Sequence, residues 1–248
     1  MCGIVGYFKP RHAVKEYDLV KAAESIKHRG PDDFSMQNTT DSCIAFRRLS
    51  INDLSKRGMQ PFHYDGVTVY INGEVYNHLE LKAKYKDEFT PKSTSDAEIL
   101  PFLFRKYGIG FANQINGMFA IVIIDSNTRK QYILLDRFGV KPMYYALRDK
   151  CLIFSSELKA FHHIFSMEPN YKNIALSFNL SFFPYPITPY KDVFKLTPGT
   201  FIEFTNGEME EKRWYFMEVK EKITDPDYIC EKFNSLFEQS IQYRLRGD

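Results

Sequence analysis

Short apolar runs separated by turn residues fill the second half of the chain, and this feature restricts the possible folds more than any other. Between Met118 and Ser156 these runs are MFAIVIID, KQYILLD, PMYYAL and CLIFSS. Such runs, with turn residues between them, are typical of β-strands joined by tight connections. We therefore expect an antiparallel meander here. A hairpin should follow in GTFIEFTNGEMEEKRWY, where Asn206-Gly207 has the composition of a two-residue turn.

Strand-like and helix-like segments alternate in the first half of the chain. Apolar composition predicts strands at residues 2–8, 42–51 and 67–73. Apolar residues on one face predict helices at residues 17–30, 78–85 and 95–108. The third helix has Ser95 or Asp96 as its expected N-cap. Residues 167–189 contain proline and asparagine and are expected to form a loose connection.

The end of the chain, from Asp225 onward, has the pattern of a long amphipathic helix. Asp225 is the expected cap, and Pro226 takes the first helical position. The apolar stripe of this helix consists of Ile229, Phe233, Leu236, Phe237, Ile241 and Leu245. A stripe of this kind needs a partner surface. We expect the helix to belong to a following domain, and the sequence leaves a homodimer open.

Composition and charge exclude several classes of protein. The chain has 248 residues, 44% of them hydrophobic and 26% charged, which is typical of a globular protein. A formal charge of +2 gives no general attraction to nucleic acid or to a membrane, so neither is an expected partner. No apolar stretch approaches the ~20 residues of a membrane helix. The apolar run at residues 4–8 is too short for a signal sequence, and no basic segment precedes it. A cytoplasmic location is the expectation.

The four cysteines are Cys2, Cys43, Cys151 and Cys230, and they are widely separated. No pair has the CxxC spacing, and no histidine pair lies near them in the sequence. Neither a disulfide framework nor a zinc site is therefore predicted, and we expect no metal.

Cys2 has a distinctive chemistry if Met1 is removed. The thiol and a free α-amine then belong to one residue, so the amine can act as the base that activates the sulfur. An α-amine with a pKa of roughly 7.7–8.0 and a thiol near 8.5 can exchange a proton at little cost. A small residue at position 2 is compatible with removal of Met1. Taken alone, however, a cysteine after Met1 is more often incidental.

Several further motifs occur in one order along the chain. They are MCGIVGYF, HRGPDD, RRLSI, NGEVYNH, TSDAEIL, GMFAIVIID, DRFGVKPMYY, FSSELKA and KLTPGT. Together they resemble the glutaminase domain of class II glutamine amidotransferases, most closely that of glutamine-hydrolysing asparagine synthetases. The resemblance implies an α+β fold of the N-terminal-nucleophile hydrolase type, a four-layer αββα sandwich of two antiparallel sheets. It also implies hydrolysis of glutamine to glutamate and ammonia through a Cys2 γ-glutamyl thioester.

The resemblance also assigns roles to individual residues. Cys2 would be the nucleophile, with Asn72 and Gly73 donating to the oxyanion. Arg48 would bind the α-carboxylate of glutamine, and Glu74 and Asp96 its α-ammonium group. The substrate-binding set implied in this way is Arg48, Leu49, Ser50, Ile51, Asn72, Gly73, Glu74 and Asp96. The charges of HRGPDD and DRFGVKP are interpreted as structural.

The same resemblance divides the chain into two parts. Residues 2–217 would form the glutaminase domain, and residues 218–248 a linker and the first helix of a synthetase-like domain. The Ser-Gly-Gly-x-Asp-Ser pyrophosphate loop of such synthetases does not occur in the sequence. We therefore expect no cofactor for the glutaminase half-reaction, and ATP with Mg²⁺ only in a synthetase domain. The partners would be glutamine and a synthetase domain or acceptor enzyme, in cis or in trans.

Two positions depart from the family pattern, and two alternative functions stay open. Ser35 stands where glycine is usual and Asn52 where an apolar residue is common, which puts the local shape of loops near the pocket in doubt. One alternative is the glutaminase domain of a sugar or phosphoribosyl amidotransferase. The other is a catalytically silent domain that binds glutamine or a partner protein.

Overall fold

The computed structural model describes residues 1–10, 17–219 and 222–245. The strands are β1 (Gly3–Phe8), β2 (Asp33–Asn38), β3 (Ser42–Arg48), β4 (Phe62–Tyr64), β5 (Val67–Val75), β6 (Gly117–Asp125), β7 (Lys130–Leu135), β8 (Tyr144–Arg148), β9 (Cys151–Ser155), β10 (Phe194–Lys195), β11 (Thr200–Thr205) and β12 (Glu208–Arg213). The α-helices are α1 (Val20–Ser25), α2 (His78–Lys84), α3 (Leu100–Tyr107), α4 (Tyr171–Leu180) and α5 (Pro226–Arg244). Short 3₁₀ helices occur at Lys27–Arg29, Lys56–Gly58, Gly108–Asn113 and Leu158–His163.

These strands form two antiparallel sheets of six strands each. In the first sheet the order is β10-β8-β9-β1-β3-β2, and in the second it is β12-β11-β7-β6-β5-β4. Strand β1 lies inside the first sheet, between β3 and β9, and all six of its residues are buried. Its continuous apolar run GIVGYF suits this position, because layers cover both faces of the strand.

Three apolar clusters define four layers. One cluster fills the space between the sheets, and it includes Ile4, Phe8, Val122 and Phe154. A second covers the outer face of the first sheet with α1 and the 3₁₀ helix Leu158–His163. The third covers the outer face of the second sheet with α2 and α3. The expected αββα sandwich of two antiparallel sheets is thus observed.

The predicted meander is wrong in its connectivity. Strands β6 and β7 pair in the second sheet, whereas β8 and β9 pair in the first. The connection after β7 turns at the buried Asp136, whose carboxylate accepts hydrogen bonds from the N–H groups of Phe119, Phe138 and Val140. Sequence spacing does not show which sheet a hairpin joins, because both sheets bury the same kind of residue. The β11–β12 hairpin is confirmed, with positive φ at Asn206 and Gly207.

Several helix predictions need correction. The third helix begins at Leu100, and neither Ser95 nor Asp96 caps it, because the Asp96 carboxylate accepts from the Val75 N–H instead. The helix predicted for residues 17–30 is shorter and ends in a 3₁₀ turn. The loose connection predicted at residues 167–189 contains α4, which Asn170 caps. None of the residues of α4 is buried, so no amphipathic period marked it.

The strands absent from the prediction are β2, β4 and β10, and each of them pairs along one side. Strand β2 alternates half-buried and exposed residues, and β4 and β10 span three and two residues. Strands of this kind carry little apolar signal, because pairing with a neighbour defines them. Ser35, in β2, donates from its hydroxyl to the carbonyl oxygen of Gln60 (2.8 Å), which ties the edge strand to the loop before β4.

The predicted C-terminal helix is observed as α5, with the Asp225 carboxylate accepting from the N–H of Asp227. Residues 246–248 of the predicted helix and residues 220–221 of the predicted linker lie outside the described residues. The apolar stripe is exposed, and Phe233 stacks on Phe237 along it. No helix in the described part of the chain is long and apolar enough to cross a membrane.

Candidate active site

A cleft lies where the start of β1, the end of β3 and the end of β5 meet. Gly3 pairs with Arg47, which places Cys2 beside the residues that follow β3. The predicted site residues that line the cleft are Cys2, Arg48, Leu49, Ile51, Asn72, Gly73, Glu74 and Asp96. Ser50 does not line it, and its N–H donates to the Asp32 carboxylate (2.7 Å). The antiparallel pairing of β1 with β3 therefore assembles residues that are far apart in the sequence.

The Cys2 thiol is held against the backbone of Leu49. The Leu49 N–H donates to the sulfur (3.5 Å), and the thiol lies 3.7 Å from the Leu49 carbonyl oxygen. Burial raises the pKa of the Cys2 thiol above its ordinary value, while the Leu49 N–H, the N-terminal ammonium and Arg48 act in the opposite direction. A thiol with a raised pKa needs a base to become a nucleophile.

The backbone of Cys2 is fixed by residues that follow α1 and β9. The Arg29 Nε–H donates to the Cys2 carbonyl oxygen (3.0 Å), and the Arg29 guanidinium pairs with the Glu157 carboxylate (3.0 Å). The Ile4 N–H donates to the Ser156 hydroxyl (3.0 Å). Arg29 belongs to HRGPDD, so this motif holds the first residues of β1 in place. The charge of Arg29 is structural, as expected for this motif, and its guanidinium contacts the backbone of Cys2 directly.

Asn72 has an unsatisfied side chain inside the cleft. It is fully buried in β5, and neither its amide nitrogen nor its amide oxygen has a hydrogen-bond partner among the described residues. Leaving such a group without a partner costs roughly 1–3 kcal/mol. The Asn72 amide can therefore bind a ligand without breaking an existing hydrogen bond.

Gly73 follows Asn72 at a point where two strands approach closely. A Cβ at this position would lie 2.0 Å from the Met118 carbonyl oxygen on β6, and no side chain fits there. Glycine is thus required by packing against β6. The same residue type leaves the backbone N–H open to close approach by a ligand.

Arg48 is buried, and the loop after β3 fixes its guanidinium group. One terminal nitrogen donates to the Ser55 carbonyl oxygen (2.9 Å) and lies 3.5 Å from the Asp33 carboxylate, while the other donates to the Asp53 carbonyl oxygen. The Asp53 carboxylate in turn accepts from the Thr94 N–H (3.0 Å), which joins this loop to the segment before Asp96. A guanidinium held in this way presents its remaining N–H groups in a fixed orientation.

Asp96 provides a buried carboxylate in the same cleft. It accepts from the Val75 N–H (2.7 Å) and is 6% exposed. Burial raises the pKa of Asp96 to about 6, and the Glu74 carboxylate acts in the same direction, while hydrogen bonds from the Val75 N–H and the Asn52 side chain oppose the shift. Asn52, which departs from the family pattern, thus contacts a site residue. Asp96 and Glu74 together form an acidic region in the cleft that Arg48 also lines.

Lys141 is a cleft residue that the sequence interpretation did not assign to the site. It lines the same cavity as Cys2 and Glu74, and it is 5% exposed. In the sequence it lies in DRFGVKP, which had been interpreted as structural. A lysine before a proline carries no pattern that distinguishes a buried site from a surface turn, so only the structure could place it.

The model of a known family matches most of the chain. Its description is "Glutamine amidotransferase domain", and the match covers residues 1–215. The chain belongs to the glutamine amidotransferase domain family. The resemblance to class II amidotransferases drawn from the sequence motifs is confirmed. The boundary predicted between residues 217 and 218 stays a prediction.

Curated relatives of this amidotransferase domain include asparagine synthetases. The chain is 34% identical over 270 residues to asparagine synthetase [glutamine-hydrolyzing] 2 of Bacillus subtilis (strain 168), with 100% of the chain and 36% of that protein covered. It is 31% identical over 259 residues to asparagine synthetase [glutamine-hydrolyzing] 1 of the same organism, covering 100% of the chain and 40% of the relative. The chain therefore spans little more than a third of the length of these two relatives.

A solved structure supports the fold of the amidotransferase domain. Glutamine phosphoribosylpyrophosphate amidotransferase from Bacillus subtilis matches with a TM-score of 0.63 at 16% identity, over 87% of this chain and 50% of that one. At this identity the likeness concerns the fold alone. It confirms the N-terminal-nucleophile hydrolase architecture expected from the sequence.

Proposed function

We propose that the chain hydrolyses the side-chain amide of glutamine to glutamate and ammonia, with Cys2 as the nucleophile. The observation that carries this proposal is the fully buried Asn72 amide, which has no partner in the described residues and lines the same cleft as the Cys2 thiol. An amide donor beside a nucleophile suits an oxyanion that forms only during the reaction. Membership of the amidotransferase domain family supports the same chemistry.

The first half-reaction forms a thioester. The free α-amine of Cys2 takes the thiol proton, and the thiolate attacks the amide carbon of glutamine. The Asn72 amide and the Gly73 N–H donate to the resulting oxyanion. When the oxyanion collapses, the C–N bond breaks and the α-ammonium returns the proton to the nitrogen, so that ammonia leaves and the γ-glutamyl thioester remains.

The second half-reaction consumes water and restores the thiol. The α-amine takes a proton from a water molecule, whose oxygen attacks the thioester carbon at the same oxyanion site. The C–S bond then breaks, glutamate leaves, and the sulfur regains its proton. Because one base and one oxyanion site serve both halves, no further catalytic side chain is needed.

Recognition of free glutamine uses the charged residues that line the cleft. Arg48 binds the α-carboxylate through its remaining N–H groups, and Glu74 and Asp96 bind the α-ammonium. Leu49 and Ile51 line the same cleft and contact the aliphatic part of the substrate. Ser50, whose N–H donates to Asp32, contributes by holding the shape of this wall.

Recognition by Asp96 predicts a pH-dependent affinity for glutamine. An ammonium group is attracted by the ionised carboxylate, and the pKa of Asp96 is raised to about 6 by burial. Affinity should therefore fall about tenfold between pH 7 and pH 5, since protonation competes with binding. Calorimetry with the Cys2→Ala variant measures binding without turnover. A constant affinity across this range, or the same pH dependence in Asp96→Asn, would contradict the role of Asp96.

Activity requires removal of Met1 in this proposal. Met1 lines the cleft, and its peptide bond occupies the amine of Cys2. Intact-mass measurement combined with an assay of ammonia release from glutamine tests the proposal. We expect a mature chain that begins at Cys2 and releases ammonia. A chain that retains Met1, binds glutamine and releases no ammonia would instead support a silent glutamine-binding domain.

The ammonia acceptor is proposed from the relatives. Their printed names describe glutamine-hydrolysing asparagine synthetases, and this chain spans little more than a third of each. We propose that the ammonia supplies an amidation such as asparagine synthesis, in a synthetase domain or acceptor enzyme in cis or in trans. On this proposal the glutaminase step uses no cofactor, and ATP with Mg²⁺ acts only in the synthetase part. The exposed stripe of α5 provides a surface for that partner.

A further inference from the structure

Lys141 lies on the connection between β7 and β8, and its ammonium group has no direct partner. Among the described residues it makes no hydrogen bond and no ion pair. Its side chain is nevertheless buried in the cleft beside Cys2. Lysine is almost never fully buried unless it is paired, because removing a charge from water is costly.

Several charged groups lie close enough to Lys141 to act on its ammonium group. The groups that act on it are Glu74 of β5, Arg29 after α1, Asp136 after β7, and Cys2. Asp136 already accepts from three backbone N–H groups, and Glu74 is assigned to the substrate ammonium. Arg29 has the same charge as Lys141 and pairs with Glu157. Glu74 has the largest electrostatic effect of these groups, but the Cys2 sulfur is the one that reacts, and it gains from a nearby cation once it has lost its proton.

The same cation acts on the N-terminal amine. Burial lowers the pKa of the Met1 α-amine, and Arg29 and Lys141 act in the same direction, while Cys2 and Glu74 oppose them. A cation repels a proton from any nearby group, whether that group is a thiol or an ammonium. Lys141 therefore favours the Cys2 thiolate, and after removal of Met1 we expect the same repulsion to favour the neutral α-amine of Cys2, one residue further along.

We propose that Lys141 is a positioning residue that electrostatically favours the deprotonated forms of the Cys2 thiol and of the adjacent α-amine. The proposal deepens the proposed function and rests on it for the identity of the nucleophile. Other charges also face Cys2, namely the cations Arg29 and Arg48 and the carboxylates Glu74 and Asp96. Of the two arginines, Arg29 pairs with Glu157 and Arg48 with Asp33 and backbone carbonyls, whereas Lys141 has no such partner.

Alkylation of Cys2 by iodoacetamide measures this effect without glutamine. The mature chain carries Cys230→Ser, because Cys230 is exposed, whereas Cys43 and Cys151 are buried. The rate of Cys2 modification is followed by peptide mass between pH 5 and pH 10. In Lys141→Met we expect the profile to move to the alkaline side, with a reaction about threefold slower at pH 7. Lys141→Arg should restore the original profile.

The control is Lys27→Met, which removes an exposed lysine that pairs with Glu24. It should leave the profile unchanged. If Lys141→Met also exposes Cys43 to alkylation, the fold has loosened, and Lys141→Gln and Lys141→Arg then give the comparison. Coincident profiles for the parent and a folded neutral variant would overturn the proposal, as would an Lys141→Arg profile that moves as far as that of Lys141→Met. Because alkylation needs no turnover, this result is independent of the ammonia-release assay.

Discussion

Replacement of Cys2 by alanine is expected to reduce ammonia release from glutamine by at least about 10⁴-fold, because it removes the atom that forms the thioester. The change is small, and Cys2 is only partly buried at the edge of the cluster between the sheets, so the fold should persist. Glutamine should still bind, since Arg48, Glu74 and Asp96 remain in place. Initial-rate assays at saturating glutamine, with binding measured by calorimetry, test both parts.

A matched control is available on α5. Cys230 is exposed there, and Cys230→Ala removes a thiol without changing the cleft. It should retain full activity. Ammonia release by the Cys2→Ala variant at a rate near that of the parent would exclude the thioester mechanism. Loss of activity in Cys230→Ala would show that the assay depends on α5 as well as on the cleft.

Replacement of Asn72 by alanine is expected to give the second large loss of activity. It removes one oxyanion donor, and removal of such a donor typically costs about 10²–10³ in kcat. The KM for glutamine should change little, because the amide acts on a charge that develops only after binding. The free energy of unfolding should rise slightly or stay constant, because the buried amide has no partner among the described residues.

Urea unfolding and steady-state kinetics on the same preparation distinguish a catalytic role of Asn72 from a structural one. A variant that is slower but equally stable has lost a catalytic group. Asn38→Ala, at the exposed end of β2, is the control and should change neither quantity. A loss of about 2 kcal/mol or more in stability for Asn72→Ala would mean that the amide is structural. A change confined to KM would show that the Asn72 amide binds the substrate and does not stabilise the transition state.

The site could be predicted largely from short motifs. RRLSI, NGEVYNH and TSDAEIL contain the residues that the structure brings together around Cys2, and the predicted site residues other than Ser50 line one cleft. Lys141 could not be predicted, because its burial depends on the path of the β7–β8 connection. Its motif carries no local pattern that separates a buried lysine from a surface one.

The positions of the strands could be predicted more easily than the sheet that each strand joins. Buried strands such as β1, β6 and β7 were recognised from their apolar runs, since their faces are covered on both sides. The edge strands β2, β4 and β10 and the exposed helix α4 were not recognised, because pairing or capping defines them rather than burial. The meander was wrong because hairpins bound for different sheets have the same hydrophobic pattern.

The sequence by itself determined the family, most of the residues that line the cleft and the existence of a thiol next to the N-terminus, because these depend on residue types in a fixed order. Only the tertiary structure decided which groups act on one another. It buried Asp96 beside Glu74 and raised its pKa to about 6, left the Asn72 amide without a partner, and placed Lys141 in the cleft of Cys2. Burial and proximity arise from the packing of two sheets, which local sequence does not specify.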